Sequence, residues 1–71
     1  MPDLETMRRN PGSVSRRDLI AALHENGWVL DRTTGKHQIF MKGARRAAVP
    51  HTLKGTGTIR ALVEIIIESR T

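Results

Sequence analysis

The chain has 71 residues, no cysteine and a net charge of +5. That length supports one small domain, which buries only about 60% of the surface its unfolded form exposes, so the core must be compact. The missing cysteines exclude a disulfide framework, a thiol nucleophile and thiolate zinc sites, and the apolar runs are far too short to span a bilayer. With no hydrophobic signal segment in MPDLETMRRNPGSVS, the expectation is a cytoplasmic protein without a membrane association.

Residues 1–14 are polar, carry Pro2, Pro11 and Gly12, and show no sustained period, so they read as a flexible leader ahead of a domain at 15–71. Ser15 followed by Asp18 has the spacing of a capping box, and Leu19, Ile20, Ala22 and Leu23 continue as an apolar stripe at helical spacing. Asn26 and Gly27 end that helix. WVLDR at 28–32 and HQIFMK at 37–42 are strand-like runs joined by Thr-Thr-Gly-Lys, a hairpin signal. A turn at Gly43 leads to RAAVP at 46–50, a third strand closed by Pro50, whose nitrogen cannot donate to a ladder. HTLKGTGT is a loop. From about Thr58, IRALVEIIIESR places Ile59, Leu62, Val63 and Ile66 at helical spacing; twelve residues without a turn signal favour a helix over a strand despite the three isoleucines.

The predicted class is therefore α+β, in the order helix, three antiparallel strands, helix, with both helices on one face of the sheet. That is the order of the double-stranded RNA-binding domain. A scaffold hosts many activities, so function has to be read from sites.

Charge placement is informative. All seven carboxylates lie at or before Asp31 or at or after Glu64, while Arg32, Lys36, Lys42, Arg45, Arg46, Lys54 and Arg60 fill the interval. A field of one sign attracts phosphate backbones, although a merely solvated face would also be basic. The only large aromatic side chains are Trp28 and Phe40, both in strand-like runs of a domain short of core, so they read as packing residues rather than base-stacking platforms. Recognition would then run through phosphates and ribose hydroxyls. The loop LKGTGT suits that role, because Lys54 brings charge, the glycines allow close approach, and the helix opening near Thr58 presents N–H groups. The competing reading is an ordinary loop ending in a threonine cap.

His24, His37 and His51 are thirteen and fourteen residues apart with no H-x-x-x-H pair, which argues against a metal site, and no cofactor is implied. The basic interval also lacks the clustered carboxylates of a two-metal nuclease. RNA permits metal-free cleavage because its 2′-hydroxyl is a built-in nucleophile, and a positioned imidazole contributes typically about 10²- to 10⁴-fold to such a proton transfer. His24, within the first helix, reads as a surface residue, and His51, beside Pro50, as either structural or a second proton carrier. His37, just past the glycine turn, is either incidental or a ring presented to a substrate.

SRRDLIAALHENGWVLDRTTGKHQIF followed by VPHTLKGTGTIRALVEI resembles the HicA toxins of bacterial HicA/HicB toxin–antitoxin pairs, over about residues 15–67. The pieces are R-D-L-I, G-W-x-L-x-R, G-x-H-x-x-F, V-P-H and G-T-[LI]-R, and their order and spacing carry the resemblance. It implies a double-stranded RNA-binding-like fold, ribosome-independent endoribonuclease cleavage of mRNA, and inhibition by a HicB-type antitoxin, with a monomer when free and a hetero-oligomer with the antitoxin. The family's catalytic histidine carries over to His37, as general base on the 2′-hydroxyl or general acid on the leaving 5′-oxygen, with Lys36, Arg45, Arg46, Lys54 and Thr58 toward RNA and His51 as the candidate second proton carrier. Two features depart from the family: Lys36 stands where a small hydroxyl residue is common, and the leader is longer than usual. A non-catalytic RNA-binding module is the alternative, and a phage DNA-binding regulator a further one. Ile65, Ile66 and Ile67 fan around more of the last helix than one stripe needs, so at least one is expected to be exposed toward an acidic, partly apolar partner.

Overall fold

The computed structural model describes residues 3–70. Its elements are α1 (Leu4–Arg9), a 3-10 turn (Pro11–Ser13), α2 (Arg16–Glu25), β1 (Val29–Thr33), β2 (His37–Lys42), β3 (Arg45–Pro50) and α3 (Thr56–Glu68). The predicted α-β-β-β-α order is present as α2-β1-β2-β3-α3, an α+β fold of the double-stranded RNA-binding type. The three strands form one antiparallel sheet in the order β1-β2-β3. None of the described helices is long and apolar enough to cross a membrane.

Local chemistry sets the boundaries of α2. Ser15 Oγ accepts from the Asp18 N–H at 3.1 Å, satisfying a donor that the first turn would otherwise leave open. At the other end the Trp28 N–H donates to the Leu23 carbonyl at 2.9 Å and the Gly27 N–H to the His24 carbonyl at 3.2 Å, the paired bonds of a Schellman stop. That stop needs a left-handed residue, and Gly27 supplies it at φ 85°. The chain leaves α2 with Trp28 already pointing into the core.

Register decides which side chains the helices cover. Phe40 pairs with Ala47 and Gln38 with Val49, so Phe40, Ala47 and Val49 share a face, and all three belong to the core with Leu19, Leu23, Leu62, Val63 and Ile66. Alternation sends His37, Ile39 and Met41 to the opposite face. Trp28 and Phe40 are both buried, in keeping with packing rather than base stacking. The Trp28 indole N–H donates to Ser69 Oγ at 3.1 Å, and that hydroxyl donates to the Ile66 carbonyl at 2.6 Å, so the polar atoms enclosed with the ring are satisfied. The His24 ring lies edge-on to Phe40 at 5.8 Å, on the exposed side of α2.

The segment expected as a flexible leader is folded over residues 3–14; residues 1 and 2 lie outside the described residues. Asp3 caps α1 by accepting the Thr6 N–H at 2.8 Å, and Leu4, Met7 and Val14 are buried in the common core. Leu4 and Met7 are three apart, one helical face, and that face packs against α3. This cover also overturns the expectation of an exposed isoleucine. Ile66 is fully buried, and Ile65 and Ile67 are half-buried against the core. The exposed large apolar residues among those described are instead Val29 and Leu30 on the edge strand β1.

Candidate nucleic-acid interface

His37 opens β2, and its conformation is fixed by Thr34 in the preceding turn. The Thr34 N–H donates to the His37 carbonyl at 2.8 Å, the Thr34 hydroxyl donates to that same carbonyl at 3.1 Å, and the His37 N–H donates to Thr34 Oγ1 at 3.0 Å. Both main-chain polar groups of His37 are therefore held by one threonine. Its side chain stands half-buried on the face of the sheet that the helices leave open.

Across the ladder His37 pairs with Pro50, which brings His51 to the same end of the sheet. The His51 N–H donates to the Lys36 carbonyl at 3.1 Å, and its ring Nε2 lies 3.2 Å from the Thr34 carbonyl. These contacts border an open groove of about 440 Å³ lined by Lys36, His37, Pro50, His51, Thr52 and Lys54, with Gly35 at its edge. His51 and Thr52 also border a second groove of about 520 Å³, which runs toward the first residues of α2 and α3.

The fold thus brings together four of the residues singled out from the sequence: Lys36, His37, His51 and Lys54. It does not bring Arg45, Arg46 or Thr58 to them. Arg45 pairs with Lys42 at the far end of the β2–β3 hairpin, five residues from the His37–Pro50 pair, or roughly 16 Å along the strand. Arg46 is next to it on β3, and both are exposed. Thr58 is exposed in the first turn of α3, outside the groove. Nor does a threonine cap α3: Gly55 is the N-cap, at φ 77°, without a side-chain bond to the helix. Two bare cations and two imidazoles facing one opening form a site suited to a phosphodiester, with charge for the phosphate and rings able to carry protons.

Thr34 and Arg16 were not singled out from the sequence, in which Pro50 reads only as the end of the third strand. Arg16 reaches from α2 to the Pro50 carbonyl, with Nε at 3.3 Å, and also donates to Gln38 Oε1. A two-residue turn at Gly43 and Ala44 places residue 37 opposite residue 50, so counting back from that turn is the signal that could have joined the two histidines.

A family model described as the HicA toxin of bacterial toxin–antitoxin systems matches residues 16–66, well over half of the chain. No curated protein and no solved structure matches it significantly.

Proposed function

The chain belongs to the HicA family of toxins from bacterial toxin–antitoxin systems, and from that premise we propose that it is a metal-independent endoribonuclease that cleaves mRNA at the groove containing His37. The observation that carries this reading is the convergence of His37, His51, Lys36 and Lys54 on one opening. RNA supplies its own nucleophile. The 2′-oxygen forms a bond to phosphorus as the P–O5′ bond breaks, the 2′-hydroxyl proton goes to a base, and the departing 5′-oxygen takes up a proton. The products are a 2′,3′-cyclic phosphate and a 5′-hydroxyl. His37 carries one of those protons, and Lys36 and Lys54 hold the phosphate and the negative charge that develops on it.

The cognate partner of a toxin of this class is an antitoxin, and we take it to be of the HicB type, acting in the cytoplasm. Its acidic groups complement the carboxylate-free interval from Arg32 to Arg60, and covering the groove silences cleavage without unfolding the toxin. The isoleucines of α3 do not serve that contact, since Ile66 is buried and Ile65 and Ile67 are half-buried against the core.

The test is cleavage of a labelled RNA by the purified protein in the presence of chelator. Shortened RNA with cyclic-phosphate ends from the wild type, and intact RNA from His37→Ala, are the expected results. Wild-type protein that binds RNA and leaves it intact would make this a binding module instead.

A further inference from the structure

Building on the reading of His37 as the proton-transfer group, we propose that His51 is a positioning residue, whose ring latches the β1–β2 turn to the end of β3 and so fixes how His37 enters the groove. A carbonyl oxygen can only accept, so the 3.2 Å contact requires His51 Nε2 to carry a hydrogen and donate it to Thr34. The His51 main chain makes a second tie, from its N–H to the Lys36 carbonyl at 3.1 Å. Thr34 in turn holds both the N–H and the carbonyl of His37.

The latch is anchored at its other end. Arg16 Nε donates to the Pro50 carbonyl at 3.3 Å, which secures the residue before His51 to the first turn of α2. Main-chain and side-chain bonds therefore run without a gap from α2 through Pro50 and His51 to Thr34 and His37. The turn is closed by the Thr34–His37 bonds but packs against little: residues 34–36 are exposed, and an added Cβ at Gly35 would meet no atom within 4 Å. Nε2 is committed to the turn and Nδ1 is the ring atom left to exchange a proton, so on this proposal His51 serves the reaction through geometry, and substitutions at His51 separate the two roles. The second proton of the cleavage then passes through a lysine or water.

The decisive comparison is His51→Gln with His51→Ala. The glutamine side chain carries an amide N–H at about the reach of imidazole Nε2, so it restores the bond to Thr34 and cannot shuttle a proton. Misplacing a reacting group by an ångström can cost about 10²-fold, so single-turnover cleavage of a saturating labelled RNA should fall roughly ten- to a hundredfold in His51→Ala. His51→Gln should return close to the wild-type rate with an unchanged pH–rate profile. A glutamine variant as inactive as the alanine variant, with one limb of the profile lost, would make His51 a proton carrier and overturn the proposal, as would a fully active His51→Ala.

Amide hydrogen exchange at Thr34 and His37, whose N–H groups are hydrogen-bonded across the turn, gives a readout independent of chemistry. It should quicken in His51→Ala and recover in His51→Gln, and unchanged exchange in both would also end the proposal. If His37→Ala still cleaves RNA at the wild-type rate, the reading of His37 fails, and the exchange data still decide the latch.

Discussion

Arg16 and Pro50, 34 residues apart, are joined by a hydrogen bond from the arginine Nε to the proline carbonyl at 3.3 Å. The guanidinium also donates to Gln38 Oε1. One planar fork thereby spans α2, β2 and β3 at the end of the sheet where the histidines lie, a geometry that a lysine ammonium cannot reproduce. Arg16→Met keeps much of the apolar stem and removes both bonds. It should lower stability by about 1.5–3 kcal/mol, the range for hydrogen bonds made by a charged group. Thermal melting together with amide exchange at His51 checks this: a normal melt with unchanged exchange would mean that the fork holds nothing.

His37→Ala should remove cleavage and leave folding almost untouched. The ring is half-buried on the open face of the sheet and lies outside the apolar core, so truncation opens no core cavity. The main-chain bonds with Thr34 do not depend on the side chain. Circular dichroism and melting close to wild type, beside lost cleavage, is the expected pattern. A variant that fails to fold would make His37 structural.

α1 is a part of the core, and one substitution tests it. Met7 is 1% exposed, and Met7→Ala should cost about 2–5 kcal/mol, the usual range for emptying such a site. In a domain of this size each kcal/mol moves the melting temperature by roughly 4–8 °C, so the variant should melt well below the wild type. The exposed ion pair of Arg8 with Glu64 at 3.6 Å contributes little by comparison, and Arg8→Ala should melt within a few degrees of wild type. Equal melting of Met7→Ala and the wild type would mean that α1 is dispensable.

The Asp3 cap gives stability a pH dependence of known sign. The Thr6 N–H donating to its carboxylate holds the Asp3 pKa below its ordinary value. A carboxylate depressed in the folded state adds stability that is fully present above its unfolded pKa and is lost as pH falls through the folded one. Asp3→Asn keeps a capping oxygen without the titration. The stability difference between wild type and Asp3→Asn should be constant near neutrality and shift against the wild type in the acidic range. A difference independent of pH would show that the carboxylate charge has no part in the cap.

Much of this organisation was legible because it rests on short-range chemistry. Ser15 with Asp18, the Asn26–Gly27 stop and the turns between the strand-like runs each act within a few residues, and each stands where the sequence placed it. α1 was not, because a six-residue helix offers only Leu4 and Met7 as a stripe, too short for a period to emerge from polar surroundings. The cap at Asp3 and the basic last turn at Arg8 and Arg9 were its available signals. At the site, His37 could be singled out by its place after a turn, whereas its relation to His51 depends on a tertiary register. The same register carries Arg45 and Arg46 away from the groove, a separation that charge counting along the chain cannot express.

On the proposed reading, that separation has a measurable consequence for RNA binding. Lys36 and Lys54 border the groove, while Arg45 sits roughly 16 Å farther along the hairpin and on the helix-covered face with Ala47 and Val49, so on that reading only a strand that runs past the end of the sheet meets both sets of cations. Removing one phosphate interaction should reduce the slope of log K against log salt by about 0.7 for a single strand. Lys54→Ala should therefore weaken binding and flatten the salt dependence for short and long RNAs alike. Arg45→Ala should do so only for RNAs long enough to reach from the groove to the far end of β3. In both variants cleavage at saturating protein should persist if, as proposed, the cations position the strand and His37 moves the proton. Affinity measured over a salt series with oligonucleotides of increasing length separates the cases. If Arg45→Ala weakens even the shortest RNA as much as Lys54→Ala does, the strand takes another path across the sheet.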